Sequence, residues 1–226
     1  MITSHDLTEV RPVGHFSGVA IWTQQEATLV ITQGEQEGLL ISAPPDLVKR
    51  IESSVHHERL IIRTGGGWLG RLGGALAATS SRQHIQVRLA VKELRELEIT
   101  GFVNAIITHL QTPCLALHFD GAGQIHLDAL AATTLDCTLT GTGRINASGQ
   151  VDEQRVNIAG PGHYYAPRLQ SRKASLTVQA TGTAVIWAVE DLDIQVSSMG
   201  SVSYYGAPRV SKNAAQAWSV ASLGNP

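Results

Sequence analysis

Six segments of this chain can be laid under one another at nearly constant spacing. They are "LEITGFVNAIIT" from 97, "LHFDGAGQIHLD" from 117, "CTLTGTGRINAS" from 137, "VNIAGPGHYYAP" from 156, "LTVQATGTAVIW" from 176 and "IQVSSMGSVSYY" from 194. Their shared marker position falls at Val103, Gly123, Gly143, Gly162, Gly182 and Gly200, with successive differences of 20, 20, 19, 20 and 18. A degenerate last copy, "WSVASLG" from Trp218, ends at Gly224. A repeat of this length is one supersecondary unit that cannot bury its apolar face alone and must stack on its neighbours.

The columns of the alignment define the unit. Six residues before the marker stand Leu97, Leu117, Cys137, Val156, Leu176 and Ile194; four before it stand Ile99, Phe119, Leu139, Ile158, Val178 and Val196. Two after it come Ala105, Ile125, Ile145, Tyr164, Ala184 and Val202. Four after it come Ile107, Leu127, Ala147, Ala166, Ile186 and Tyr204. Between them lie mostly polar residues such as Glu98, His118, Thr138, Asn157, Thr177 and Gln195. Alternation with period two marks strands with one buried face. Each unit therefore reads as a strand, a Gly-x-Gly corner chosen for glycine's tolerance of positive φ, and a second strand. Copies that all run in one direction predict an all-β chain: a right-handed parallel β-helix of about 20-residue coils over residues 84–226.

Residues 1–83 follow another pattern and read as a β-rich cap containing one short helix. Strands are expected at 17–23, 27–32, 38–43, 58–64 and 84–91, and a helix at 44–55 with prolines at its start. The segment "GGGWLGRLGGALAATSS" reads as a glycine-rich loop. A cap is needed because the open end of a stack exposes unpaired strand edges.

Charged residues make up only 16% of the 226, with a net charge of −2, which offers no electrostatic footprint for nucleic acid. No apolar run is long enough to span a membrane, and no signal peptide is visible at the N-terminus. The two cysteines, Cys114 and Cys137, lie out of register and are not expected to pair.

The search for chemistry returns no cofactor, metal or catalytic site. "GTGRIN" at 141–146 lacks the third glycine of a dinucleotide fingerprint and sits at a strand corner. His56, His57 and Glu58 supply two ligands on one side of a strand and no third. Polysaccharide cleavage needs converging carboxylates, whereas Asp120 and Asp136 form at most one surface pair. A non-catalytic role is expected.

"GHFSGVAIWTQQEATLVITQGEQ", "LRELEITG", "DGAGQIHLD", "TGTGRINAS" and "MGSVSYYGAPRV" together resemble a bacterial family, the putative auto-transporter adhesin, head GIN domain proteins. The resemblance covers nearly the whole chain. It implies a right-handed β-helix and export to the cell surface or periplasm, and it brings no catalytic motif.

The outward face of the second strands is the expected binding surface. It carries His126, Asp128 and Asn146 in the early coils and Tyr165, Trp187 and Tyr205 in the later ones. Aromatic residues on a flat ladder suit stacking on sugar rings, with the polar group supplying hydrogen bonds. The expected partner is a glycan or a protein; a homo-oligomer contact, or a structural role for the stack, is the alternative use of the same face.

Overall fold

The computed structural model describes residues 6–64, 84–197, 199–214 and 220–226. They form β1 (Leu7–Arg11), β2 (Gly18–Gln33), β3 (Gly38–Ala43), α1 (Pro45–Val48), β4 (Ile51–His56), β5 (Arg59–Thr64) and β6 (Ile85–Val91). There follow β7 (Glu96–Leu139), β8 (Arg144–Ile158), β9 (His163–Val178), β10 (Thr183–Val196), β11 (Ser201–Tyr205), β12 (Arg209–Ala214) and β13 (Val220–Ser222). The protein is all-β, built on one large mixed sheet in the order β1-β3-β6-β2-β7-β8-β9-β10-β11-β13. The glycine-rich segment 65–81 and Trp218 lie outside the described residues.

β2 and every strand from β7 onward pair in parallel. Gly18 pairs with Glu96, Gln124 with Arg144, Arg144 with His163, His163 with Thr183, and Thr183 with Ser201. From Gln124 onward these offsets, 20, 19, 20 and 18 residues, match the sequence spacing between the glycine markers. The 44 residues of β7 hold two passes: Gly121 sits against the backbone of Gly101, and Gly123 against that of Val103. Antiparallel pairing is confined to the start of the chain, where β1 joins β3, β3 joins β6 and β4 joins β5.

The apolar columns form the core. Leu97, Phe119, Leu139, Ile158, Val178, Ile125, Ile145, Tyr164 and Val202 are buried in one continuous cluster. Tyr204, in the last pass, is only partly buried against it. The register aligns the columns: Cys137 with Val156, Val156 with Leu176, and Leu176 with Ile194.

The glycines at the corner do two jobs, and only one involves positive φ. Gly101 and Gly123 adopt φ of 112° and 114°. At Gly143, Gly162, Gly182 and Gly200 the reason is space. A Cβ there would meet, in turn, the Phe119 ring, Leu139, Ile158 and Val178 of the pass before. Two residues earlier in the corner, Gly121, Gly141 and Gly160 lie so close to the previous backbone that a Cβ would overlap a carbonyl oxygen. The ladder runs through the corner: Gly143 N–H donates to Gly121 O at 3.0 Å and His163 N–H to Gly143 O at 3.0 Å.

Three expectations are corrected. The helix expected at 44–55 is a single turn, Pro45–Val48, and the chain becomes strand β4 at Ile51. Serine and β-branched residues there pair with β5, from Ile51–Thr64 to His56–Arg59. Strands 17–23 and 27–32 are one strand, β2, with a register shift between Thr23 and Ala27. His57 and Glu58 are not strand residues; at φ 50° and 59° they form the two-residue turn between β4 and β5.

Each pass also contains a third buried stretch beyond the second strand. Leu110, Thr112 and Leu115 occupy it in the first pass of β7, and Leu130 and Leu135 in the second. Val151 and Gln154, Leu169 and Ser171, and Ala188 and Leu192 follow in β8, β9 and β10. The corner before it carries left-handed residues at His109 (φ 62°), Ala129 (φ 53°) and Gly149 (φ 127°).

Candidate functional site

The outward residues of the second strands form rungs. His126 pairs with Asn146 and Asn146 with Tyr165, so three neighbouring strands present an imidazole, an amide and a phenol in one row. One step further along the chain, Ser148 pairs with Arg168. On the other side Ser148 Oγ accepts from the Ala129 N–H at 3.3 Å and lies 3.5 Å from Asp128 Oδ1. The two rows enclose a surface cavity of about 160 Å3 lined by His126, Asp128, Asn146, Ser148, Tyr165 and Arg168, with Ala147 and Pro167. Tyr165 is the exposed aromatic of this group, at 50%.

Trp187 and Tyr205 lie outside that cavity. They pair with each other across β10 and β11. The indole is half-buried over the next corner, its Cδ1 3.3 Å from where a Cβ at Gly206 would stand. A buried hydrogen-bond chain fixes its backbone: Tyr164 Oη donates to Gln154 Oε1 at 3.1 Å, Gln154 Nε2 to Ser171 Oγ at 2.7 Å, and Ser171 Oγ to Trp187 O at 2.8 Å. Burial, and then the neighbouring Cys137, push the Tyr164 phenol well above its ordinary range. That phenol is a donor held inside the core, not a titrating group of the surface.

A second cavity, of about 590 Å3, lies beside the third stretch and is lined by Glu153, Lys173, Asp191, Asp193 and Arg209 among others. Among the described residues, four of its five charged lining residues stand in ion pairs. Asp191 stands between Lys173 at 3.6 Å and Arg209 at 2.7 Å, and Glu153 meets Arg155 at 2.8 Å. Exposed pairs of this kind contribute about 0.2–1 kcal/mol each and leave little charge for a ligand. The first cavity is the opposite case: neither Arg168 nor Asp128 has an ion-pair partner among the described residues.

Arg168 escapes a reading by columns. It occupies neither outward position of the regular unit, because β9 carries an extra residue before it. The available signal is Pro167, since proline inside a strand is confined to edges and bulges. Elsewhere, Asp136 is held by Arg155 at 3.3 Å. Cys114 is exposed and Cys137 buried, both free. Among the described residues no three His, Cys, Asp or Glu side chains group to hold a metal ion, and no helix is long and apolar enough to cross a membrane.

Comparison with solved structures finds the same fold in several bacterial proteins. It is similar to a putative adhesin from Bacteroides fragilis, with a TM-score of 0.80 and 19% identity over 99% of this chain and 96% of that one. It is also similar to a putative lipid binding protein from Parabacteroides distasonis, with a TM-score of 0.67 and 18% identity over 97% of both chains. A putative adhesin from the same species gives a TM-score of 0.65 and 16% identity over 97% of this chain and 95% of that one. Identities this low establish a shared fold and nothing more. Among curated proteins, none matches. The family described as putative auto-transporter adhesin, head GIN domain matches residues 15–208, and the chain belongs to that family.

Proposed function

We propose that this protein is a non-catalytic, exported surface-binding module that recognises a glycan or protein partner through the outward face of its second strands. Its frame is a right-handed parallel β-helix over 84–226, closed at its start by residues 1–83. The parallel ladders at 20-, 19- and 18-residue offsets support the frame, and the usual chirality of parallel crossovers supports the hand. The family description supports an adhesive role and export.

One observation carries the binding reading. The cavity at His126, Asp128, Asn146, Tyr165 and Arg168 joins an exposed aromatic ring to polar groups with few partners of their own. Rings stack on apolar faces, while amide, carboxylate and guanidinium recognise hydroxyl groups. Its polar lining disfavours an acyl chain, although one structural relative carries a lipid-binding description. Among the described residues one carboxylate, Asp128, lines it, whereas glycoside hydrolysis normally takes two.

The test is a glycan array, followed by calorimetry on the strongest ligand with Tyr165→Ala and Trp187→Ala. Loss of the stacking ring should cost about 1 kcal/mol, roughly fivefold in Kd. If Trp187→Ala instead splits an oligomer into monomers on a sizing column, the aromatic end of the face is a subunit contact. If neither variant changes binding or assembly, the face is only surface and the proposal fails.

A further inference from the structure

The recess at His126–Arg168 exists because the ladder slips twice around it. Leu127 pairs with Ala147 but Leu130 with Gly149, so β7 carries one residue more than β8 at Asp128–Ala129. Asn146 pairs with Tyr165 but Ser148 with Arg168, so β9 also carries one more than β8 at Ala166–Pro167. The strand between, β8, belongs to the 19-residue spacing from Gly143 to Gly162. A short pass between two bulged ones leaves a depression, and bulges re-aim the side chains that follow them. On the far side the excess is larger: Val185 pairs with Tyr165 and Trp187 with Gln170, so four residues of β9 face one of β10. That protrusion ends in Leu169, which is buried and anchors it.

Arg168 stands on this anchored bulge as the only lysine or arginine among the described residues that line the cavity. Asp128 lies two strands away, about 9.6 Å in the ladder direction, and among the ion pairs of the described residues none joins the two. The cavity thus has a cationic end with an unused guanidinium, an acceptor end, and Tyr165 on the row beside them. A planar guanidinium fork matches a carboxylate in two parallel hydrogen bonds. At about 160 Å3 the space is below the roughly 300–1,000 Å3 of a pocket for a whole drug-sized ligand, so it takes one terminal residue of a longer chain.

We infer that the ligand is an acidic glycan, whose terminal carboxylate-bearing sugar sits on Tyr165 with its carboxylate on Arg168 and its hydroxyl groups toward Asp128, Asn146 and His126. This rests on the glycan form of the proposed function.

The test uses an array carrying uronate- and sialate-terminated oligosaccharides beside their methyl esters, sulfated analogues and neutral sugars. Wild-type protein should bind at least one acid tenfold or more above its own methyl ester. Arg168→Gln should remove that preference, bringing acid and ester to the same level, Arg168→Lys should restore part of it, and Tyr165→Ala should weaken acid and ester together. Equal binding of acid and ester by wild type, or a preference that survives Arg168→Gln, overturns the inference and leaves glycan binding standing. A sulfated analogue bound above every carboxylate also overturns it. Binding of no oligosaccharide at all removes the inference and the glycan form of the proposed function together.

Discussion

The strand before each glycine corner and the stretch after it are built from the same kinds of residue but keep register differently. Before the corner, six consecutive residues, Asp191 to Val196, align without interruption from Lys173–Val178 on one side to Arg209–Ala214 on the other. After the corner the ladder slips between Leu127 and Leu130, Asn146 and Ser148, Val185 and Trp187, and Ala188 and Asp191. The regular side is held by large core side chains packed over glycines of the next pass. The irregular side has small or polar residues inside, such as Ala147, Ala166 and Ser171, which set register weakly. Regularity is therefore imposed where packing is tight, and the candidate site sits where it is relaxed.

The most severe way to break the regular side is to add one methyl group at the corner. A Cβ at Gly141 would overlap backbone N, C and O of Gly121, and no side chain can move to make room. Gly141→Ala should cost about 5 kcal/mol or more, in the exceptional tail for a single substitution. The expected result is insoluble protein or a collapsed thermal midpoint. Gly34→Ala, at a glycine with nothing within 4 Å of its Cβ position, is the control.

Removing bulk on the same side comes next. Phe119 is fully buried and its ring fills the space over Gly143. Phe119→Ala should cost about 3–5 kcal/mol, read as a shift in the urea midpoint at constant slope. If Phe119 and Gly143 are a matched pair, Phe119→Ala should also soften the damage done by Gly143→Ala. Additive costs in the double variant would show that the two are independent.

The same contrast explains what could be read from the residues alone. The columns through Ile99, Phe119, Leu139, Ile158, Val178 and Val196 were legible because strict alternation survives wherever the ladder is regular. The third stretch was not, because Thr112, Gln154 and Ser171 place polar atoms inside and break the apolar pattern. Gln154 and Ser171 are satisfied by each other, by Tyr164 and by the backbone carbonyl of Trp187, distant pairings that no local pattern contains. At 44–55 the prolines marked a true helix start, but the pairing of β4 with β5 ended it after one turn. His126, Asp128, Asn146 and Tyr165 were readable as one outward face. Arg168 was not, since a bulge shifts it off the column.

A smaller effect tests how tightly the regular side is sealed. Burial, and secondarily Asp136, push the Cys137 thiol up from 9.0 to about 12. An acid whose pKa rises on folding holds more protons folded than unfolded between those values, so stability is complete below pH 9 and falls as pH rises toward 12. The loss should reach about 2 kcal/mol near pH 10.5, and Cys137→Val should flatten the decline between pH 9 and 10, below the range where Tyr164 joins it. In the native state at pH 8 a maleimide should label Cys114, which is exposed, and leave Cys137 unmodified. Equal labelling of both would mean that the first-strand core opens readily.

The smallest expected effect lies one residue from that thiol. Thr138 points outward between Cys137 and Leu139, and pairs in register with Asn157 on the next strand. Thr138→Ala removes a half-exposed hydroxyl and a β-branched methyl from a face where neither fills the core. Surface changes of this kind stay within about 0.5 kcal/mol. The comparison with Phe119→Ala is the informative quantity, because the two residues sit at neighbouring levels on opposite faces of one strand system. A ratio of several-fold between their urea midpoint shifts is expected. Comparable shifts would mean that the outward face of the regular side is itself covered, by another subunit or a bound chain, and that the relaxed corner is not the only surface carrying a partner.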